Sequence, residues 1–242
     1  MNARAQRLCA WCGPLWIVVF FIGFWVIAGF IPPPSPADSA EQVAAAFREN
    51  TDSIRLGLLL TMYAGVLTVP WVAAISVQFK RMEGRFAPFT YAQLGLGVCL
   101  PFEFIVPIYC WEAAAFRPER SPEIIQTLND LGWLPFTGLV FTIVVQAVVI
   151  GVAVLMDNPE NPVFPRWFGY FSISAALCFV PAGFDVFFKD GPLAWNGLIA
   201  WWLLLVSFFL WTATLSVLLF SAIRSQQAGT RESEPANAVA HG

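Results

Sequence analysis

The sequence predicts an all-α polytopic membrane protein, six transmembrane helices with two short amphipathic helices in the outer loops. Three observations predict it. Of the 242 residues, 58% are hydrophobic and only 12% are charged, and the mean hydropathy is +0.67, which is more apolar surface than a single soluble core can hide. Six apolar runs recur along the chain, each near the roughly 20 residues needed to cross about 30 Å of hydrocarbon. Twenty-three Phe and eleven Trp supply the bulk expected at lipid contacts and in interfacial aromatic belts.

The spans are read at residues 14–31, 54–79, 89–116, 134–156, 167–188 and 193–223. Each is apolar all round and must satisfy its own backbone hydrogen bonds in lipid, which makes it a helix rather than a strand. The first run is longer and more aromatic than the core of a cleaved signal peptide, so it is read as a span. Residues 1–223 form a single transmembrane domain. The remainder, residues 224–242, is polar and rich in small residues, and is expected to be a disordered cytoplasmic tail.

Counting cations between spans sets the orientation. With the N-terminus in the cytoplasm, Arg4, Arg7, Lys80, Arg81, Arg85, Arg166, Arg224 and Arg231 lie inside, and Arg48, Arg55, Arg117, Arg120 and Lys189 outside. This bias predicts the plasma (inner) membrane with both termini cytoplasmic.

The inner loops, KRMEGRFAP and DNPENPVFPR, are short turns, whereas the outer ones are built. After the stiff PPPSP run, Ser39 and Gln42 have the spacing of a capping box, and Val43 and Phe47 share a face of the helix that follows. In RSPEIIQTLNDLGW, Ser121 is an expected N-cap, Pro122 the first helical residue and Gly132 the stop. Ile124, Ile125, Leu128 and Leu131 make its apolar stripe. These two helices either seal the bundle against water or form a lid over a cavity.

Chemistry is limited by what the chain lacks. The single histidine, His241, sits in the tail, which removes Ser-His-Asp triads, Cys-His dyads, haem His ligation and His-rich metal sites. No phosphate loop, dinucleotide fingerprint or nucleophile elbow is present. No cofactor or metal is therefore expected, and no basic patch points to nucleic acid. The stretch CAWCGPLW holds a C-x-x-C pair, Cys9 and Cys12, but thioredoxin-like chemistry needs a second cysteine where Leu15 stands. It reads as a membrane entry instead, with Trp11 and Trp16 at the interface and Gly13-Pro14 opening the span. Cys99, Cys110 and Cys178 lie within spans, where cysteine behaves as a small apolar residue.

Ionisable residues inside hydrocarbon are costly and tend to mark function. Glu103, Glu112 and Asp185 qualify. Glu103 lies between Pro101 and Pro107, and Pro107 lacks the N–H that would bond the Glu103 carbonyl, so a kink beside Glu103 is expected. Asp185 precedes Lys189 by one turn, the spacing of an ion pair. Arg55 is placed to neutralise Glu112 or Asp185. With Tyr63, Gln146 and Asn196, these residues are expected to line one cavity open to the outer side.

The leading expectation is a protein that binds or transports an apolar or amphipathic small molecule, with Glu103 as its proton or ligand site. Two alternatives are an accessory or structural subunit of a membrane complex, and an intramembrane enzyme using carboxylate acid–base chemistry on a lipid-like substrate. The expected partners are the bilayer, a lipid-like or apolar molecule and a membrane-protein partner.

Overall fold

Six helical runs long and apolar enough to cross a membrane are present among the described residues, and no strand accompanies them: Arg4–Ile27, Thr51–Glu83, Pro88–Phe116, Pro122–Met156, Arg166–Phe187 and Leu198–Ala228. The computed structural model describes residues 3–158 and 160–239. This is the expected all-α multi-pass architecture. One end of the bundle carries the start of the first span, the end of the sixth and the short turns. The other, elaborated end carries the built loops.

Helix α1 (Ala3–Phe20) passes into a π-helical stretch, Phe21–Ile27. It begins well before Pro14, so CAWCGPLW is wholly helical. Trp16, expected at the interface, is instead buried in the core, because α1 is enclosed by α3, α4 and α10. On the elaborated end, α2 (Ala40–Glu49) has the expected capping box: Gln42 N–H donates to Ser39 Oγ at 3.3 Å and Ser39 N–H to Gln42 Oε1 at 2.8 Å. Val43 and Phe47 are buried beneath it.

Prolines break the next two spans. The second comprises α3 (Thr51–Val66) and α4 (Thr68–Glu83), separated at Leu67, three residues before Pro70, which cannot donate to the Val66 carbonyl. The third comprises α5 (Pro88–Gly97) and α6 (Leu100–Phe116). Here the break falls at Val98-Cys99, just ahead of Pro101, and α6 runs unbroken through Pro107. The interruption of the third span thus lies ahead of Pro101, and Pro107 sits inside α6.

Helix α7 (Pro122–Gly138) departs most from expectation. Gly132 is not its stop, since the helix continues through Pro135. The glycine is there for contact: a Cβ at this position would lie 2.6 Å from the Trp111 indole Cδ1. The buried face is accordingly Ile125, Asn129, Gly132 and Trp133, while Ile124 and Leu131 face outward. Helix α8 (Phe141–Met156) follows after a two-residue break. Together the 35 residues would measure about 52 Å as one straight helix, so the start of α7 projects beyond a hydrocarbon slab of about 30 Å.

The fifth span is α9 (Arg166–Phe179) followed by 3₁₀ winding over Val180–Phe187. The sixth opens with a π-helical turn, Leu198–Leu203, and becomes α10 (Leu204–Val239). It continues as helix past Ile223, where the sequence predicts a disordered tail from Arg224. His241 lies outside the described residues.

Candidate functional site

Polar side chains divide the bundle into two regions of opposite character. Toward the terminal end the buried amides are partnered, with Gln93 Nε2 the exception. Gln78, fully buried, donates to Gln6 Oε1 at 2.8 Å and Gln226 Oε1 at 3.0 Å, while Arg81 donates to the Ala222 carbonyl at 3.3 Å. Ser76 donates to Gln93 Oε1 at 2.7 Å, and Gln146 reaches the Gln93 carbonyl at 3.5 Å across the α5–α8 contact. Such pairs hold helices together in lipid. Gln146 belongs to this group and not with the carboxylates.

Nearer the elaborated end the buried acids are unpartnered. Glu103 Oε1, Glu112 Oε1 and both carboxylate oxygens of Asp185 are buried without a hydrogen-bond partner. From Pro88 to Glu103 the chain climbs about 22 Å at helical rise, which puts Glu103 in the half of the bundle nearer the elaborated end. A carboxyl serving as glue would be bonded to a neighbouring helix; this one is not.

Glu103 opens into a cavity of about 60 Å³ whose other walls are apolar or aromatic, among them Phe104, Phe136, Leu139, Trp201 and Phe209. Two aromatic clusters meet there. Phe104 joins Trp16 and Phe20, at ring separations of 5.6 and 5.7 Å, and Phe136 joins Trp111 and Trp201, at 5.2 and 6.1 Å. The Trp201 indole N–H is buried and also unpartnered. Leu139, at the rim, is 45% exposed, so the cavity reaches the side of the bundle.

The break between α7 and α8 forms part of this wall. Leu139 adopts φ −79° and ψ 58°, an inverse γ-turn, and Val140 N–H bonds the Gly138 carbonyl at 2.8 Å. The Phe136 and Thr137 carbonyls at the end of α7 thereby lose the donors that a continuing helix supplies. Irregular backbone at membrane depth is tolerated where it is buried in protein or lines a cavity.

The other expected site residues are dispersed. Arg55 brings its charge to bear on Glu112 and lies over the Phe116 ring at 5.9 Å, across the α3–α6 contact. Asp185, 1% exposed, lies on a second cavity of about 240 Å³. Its expected ion pair with Lys189 does not form, because 3₁₀ winding and the extended Phe188 remove the i, i+4 geometry; Lys189 acts on Asp130 instead. Tyr63 is 69% exposed on the outside of α3. Asn196 sits in the loop ahead of the sixth span, which begins at Leu198 and not at Leu193. The seven candidates are therefore not gathered in one cavity.

Sequence reasoning missed Phe136, Leu139 and Trp201 as partners of Glu103. A signal was present, since LPFTG at 134–138 interrupts an apolar run with proline and glycine. Comparison with known protein families, curated proteins and solved structures finds no match, so function must be argued from these residues.

Proposed function

We propose that this multi-pass membrane protein binds or carries an apolar or amphipathic small molecule, with Glu103 as the one acidic contact of its site. The observation that carries the reading is the single unpartnered carboxyl in an otherwise apolar cavity at a helix break. Broken transmembrane helices place irregular backbone at ligand and ion sites in many transporters. The cavity offers one carboxyl and one indole N–H, which suits the hydroxyl or amine end of a mainly apolar molecule. At about 60 Å³ it admits the end of such a molecule and not a whole drug-sized one, whose pockets span roughly 300–1,000 Å³. The Leu139 rim gives the remainder a sideways exit toward the acyl chains. The protein is placed in the plasma (inner) membrane with both termini cytoplasmic, on the cation bias between its loops.

The test is extraction of detergent-purified protein followed by mass spectrometry of whatever co-purifies. A stoichiometric amphipathic molecule is expected on the wild type, with at least a tenfold loss on Glu103→Gln and on the rim-blocking Leu139→Trp, both variants retaining the wild-type elution profile. Bare protein accompanied by a stoichiometric protein partner would favour the accessory-subunit alternative.

A further inference from the structure

The second cavity, around Asp185, has an imbalance of its own. Its polar donors are turned away: Gln126 Nε2 donates to the Asp38 carbonyl at 3.0 Å and Trp195 Nε1 to the Pro34 carbonyl at 2.9 Å. Both residues line the cavity, as do Asp130, Asp185 and Lys189. The lining thus sets two carboxyls against one ammonium, and Lys189 forms no ion pair with Asp185. Both oxygens of Asp185 are buried without a hydrogen bond of good geometry, and the one backbone donor beside them is the Val186 N–H. Apart from the Lys189 ammonium, the donors of this lining are spent elsewhere while its carboxyl oxygens are not, which is the reverse of an anion site.

The end of α7 adds to this. Gly138 packs directly on the acid: a Cβ there would lie 3.1 Å from Asp185 Cγ and 3.2 Å from Oδ2. The same helix end carries the Phe136 and Thr137 carbonyls released by the break, and the Thr137 hydroxyl is buried without a partner. A helix carboxyl terminus is the negative end of the helix dipole, so the backbone and Asp185 favour the same sign of ligand. One uncompensated carboxylate balances one positive charge, and the neutral oxygens suit a hard cation.

We propose that Asp185, with the carboxyl end of α7 at Thr137-Gly138 and the acceptor-lined cavity beside them, binds a monovalent metal cation of the sodium type. The cavity is bordered by Pro36 and Lys189 from the elaborated end, so the ion enters from the aqueous side of that end. The proposal is independent of the reading for Glu103, whose cavity has different walls.

The test is thermal unfolding of the full chain in detergent, in sodium chloride against choline chloride at constant ionic strength, with potassium chloride as a third arm. Sodium is expected to raise Tm of the wild type by about 3 °C at saturation. Asp185→Asn is expected to abolish the rise, while Glu103→Gln, in the other cavity, keeps it. Should Asp185→Asn fail to fold, Gly138→Ala, which presses on the carboxylate, is expected to weaken the sodium midpoint at least tenfold. A wild type indifferent to sodium, or a sodium response that persists in Asp185→Asn, overturns the proposal. A Tm that follows pH through Asp185 without a sodium effect makes the occupant a proton and overturns it equally.

Discussion

At Gly57 the backbones of the first and second spans touch. A Cβ there would stand 2.5 Å from the Ala28 nitrogen and 2.8 Å from its Cβ, and facing it, a Cβ on Gly23 would stand 2.7 Å from the Gly57 carbonyl oxygen. These neighbours are main chain or a Cβ fixed to it and cannot rotate aside, unlike the end of a long side chain. Small residues at such crossings allow transmembrane helices the close approach from which their packing energy comes. Gly57→Ala is expected to cost about 3 kcal/mol, the upper end of the usual overpacking range, read as a fall in Tm of detergent-solubilised protein. Gly95→Ala is the control, because nothing lies within 4 Å of its added methyl. It should be neutral or slightly stabilising, since alanine is the better helix former.

Among the elements, α2 is specified locally and α7 is not. The Ser39 capping box depends only on residues close in sequence, and it forms as the spacing predicts. The extent of α7 depends on Trp111, a residue on another helix whose ring needs the space that Gly132 leaves free, and nothing in RSPEIIQTLNDLGW reveals that. The exposed position of Tyr63 was equally hidden. A helix that is apolar all round has no stripe to distinguish its lipid face from its bundle face, so the periodicity that orients a soluble helix is silent here. The same loss of signal scattered the seven candidate residues, although their residue types did locate the unpartnered acids. For α2 the cap also sets a pH dependence. Hydrogen bonds from its own backbone N–H and from Ser39 hold the Glu41 carboxyl below the ordinary carboxylate range. A lowered folded-state pKa stabilises above the unfolded value, near 4.3, and this stabilisation is lost as pH falls through the folded value. Amide protection factors over Ala40–Glu49, corrected for the intrinsic pH dependence of exchange, should therefore be higher at neutral pH and fall below about pH 4. Ser39→Ala should raise exchange throughout, by the roughly 1 kcal/mol that an N-cap contributes.

For the whole molecule, the contrast between its ends suggests a division of labour that topology can test. The terminal end holds Gln6, Gln78, Gln93 and Gln146 in direct contacts and leaves its loops short, and the cavity of about 570 Å³ on its flank is bordered by Arg7, Trp11 and Arg224, with no carboxylate in its lining. The elaborated end carries the unpartnered acids, the projecting start of α7 and a third cavity of about 450 Å³ beneath α2, bordered by Asp38, Asn50 and Asn129. If ligand and ion enter where polarity is unspent, that end must face the compartment supplying them, which in the proposed orientation is the outside of the cell. Single cysteines in a cysteine-free background report this directly. Glu119→Cys, exposed between α6 and α7, should react with an impermeant maleimide added to intact cells. Ser225→Cys, exposed at the terminal end, should react only after the membrane is opened. The reverse pattern would turn the bundle over and direct both cavities to the cytoplasm, without altering the local geometry at Glu103 or Asp185. Asn129→Cys separates access from orientation. Buried but bordering the third cavity, it should label from the same side as Glu119→Cys at a slower rate if water fills that space, and not at all if α2 seals it.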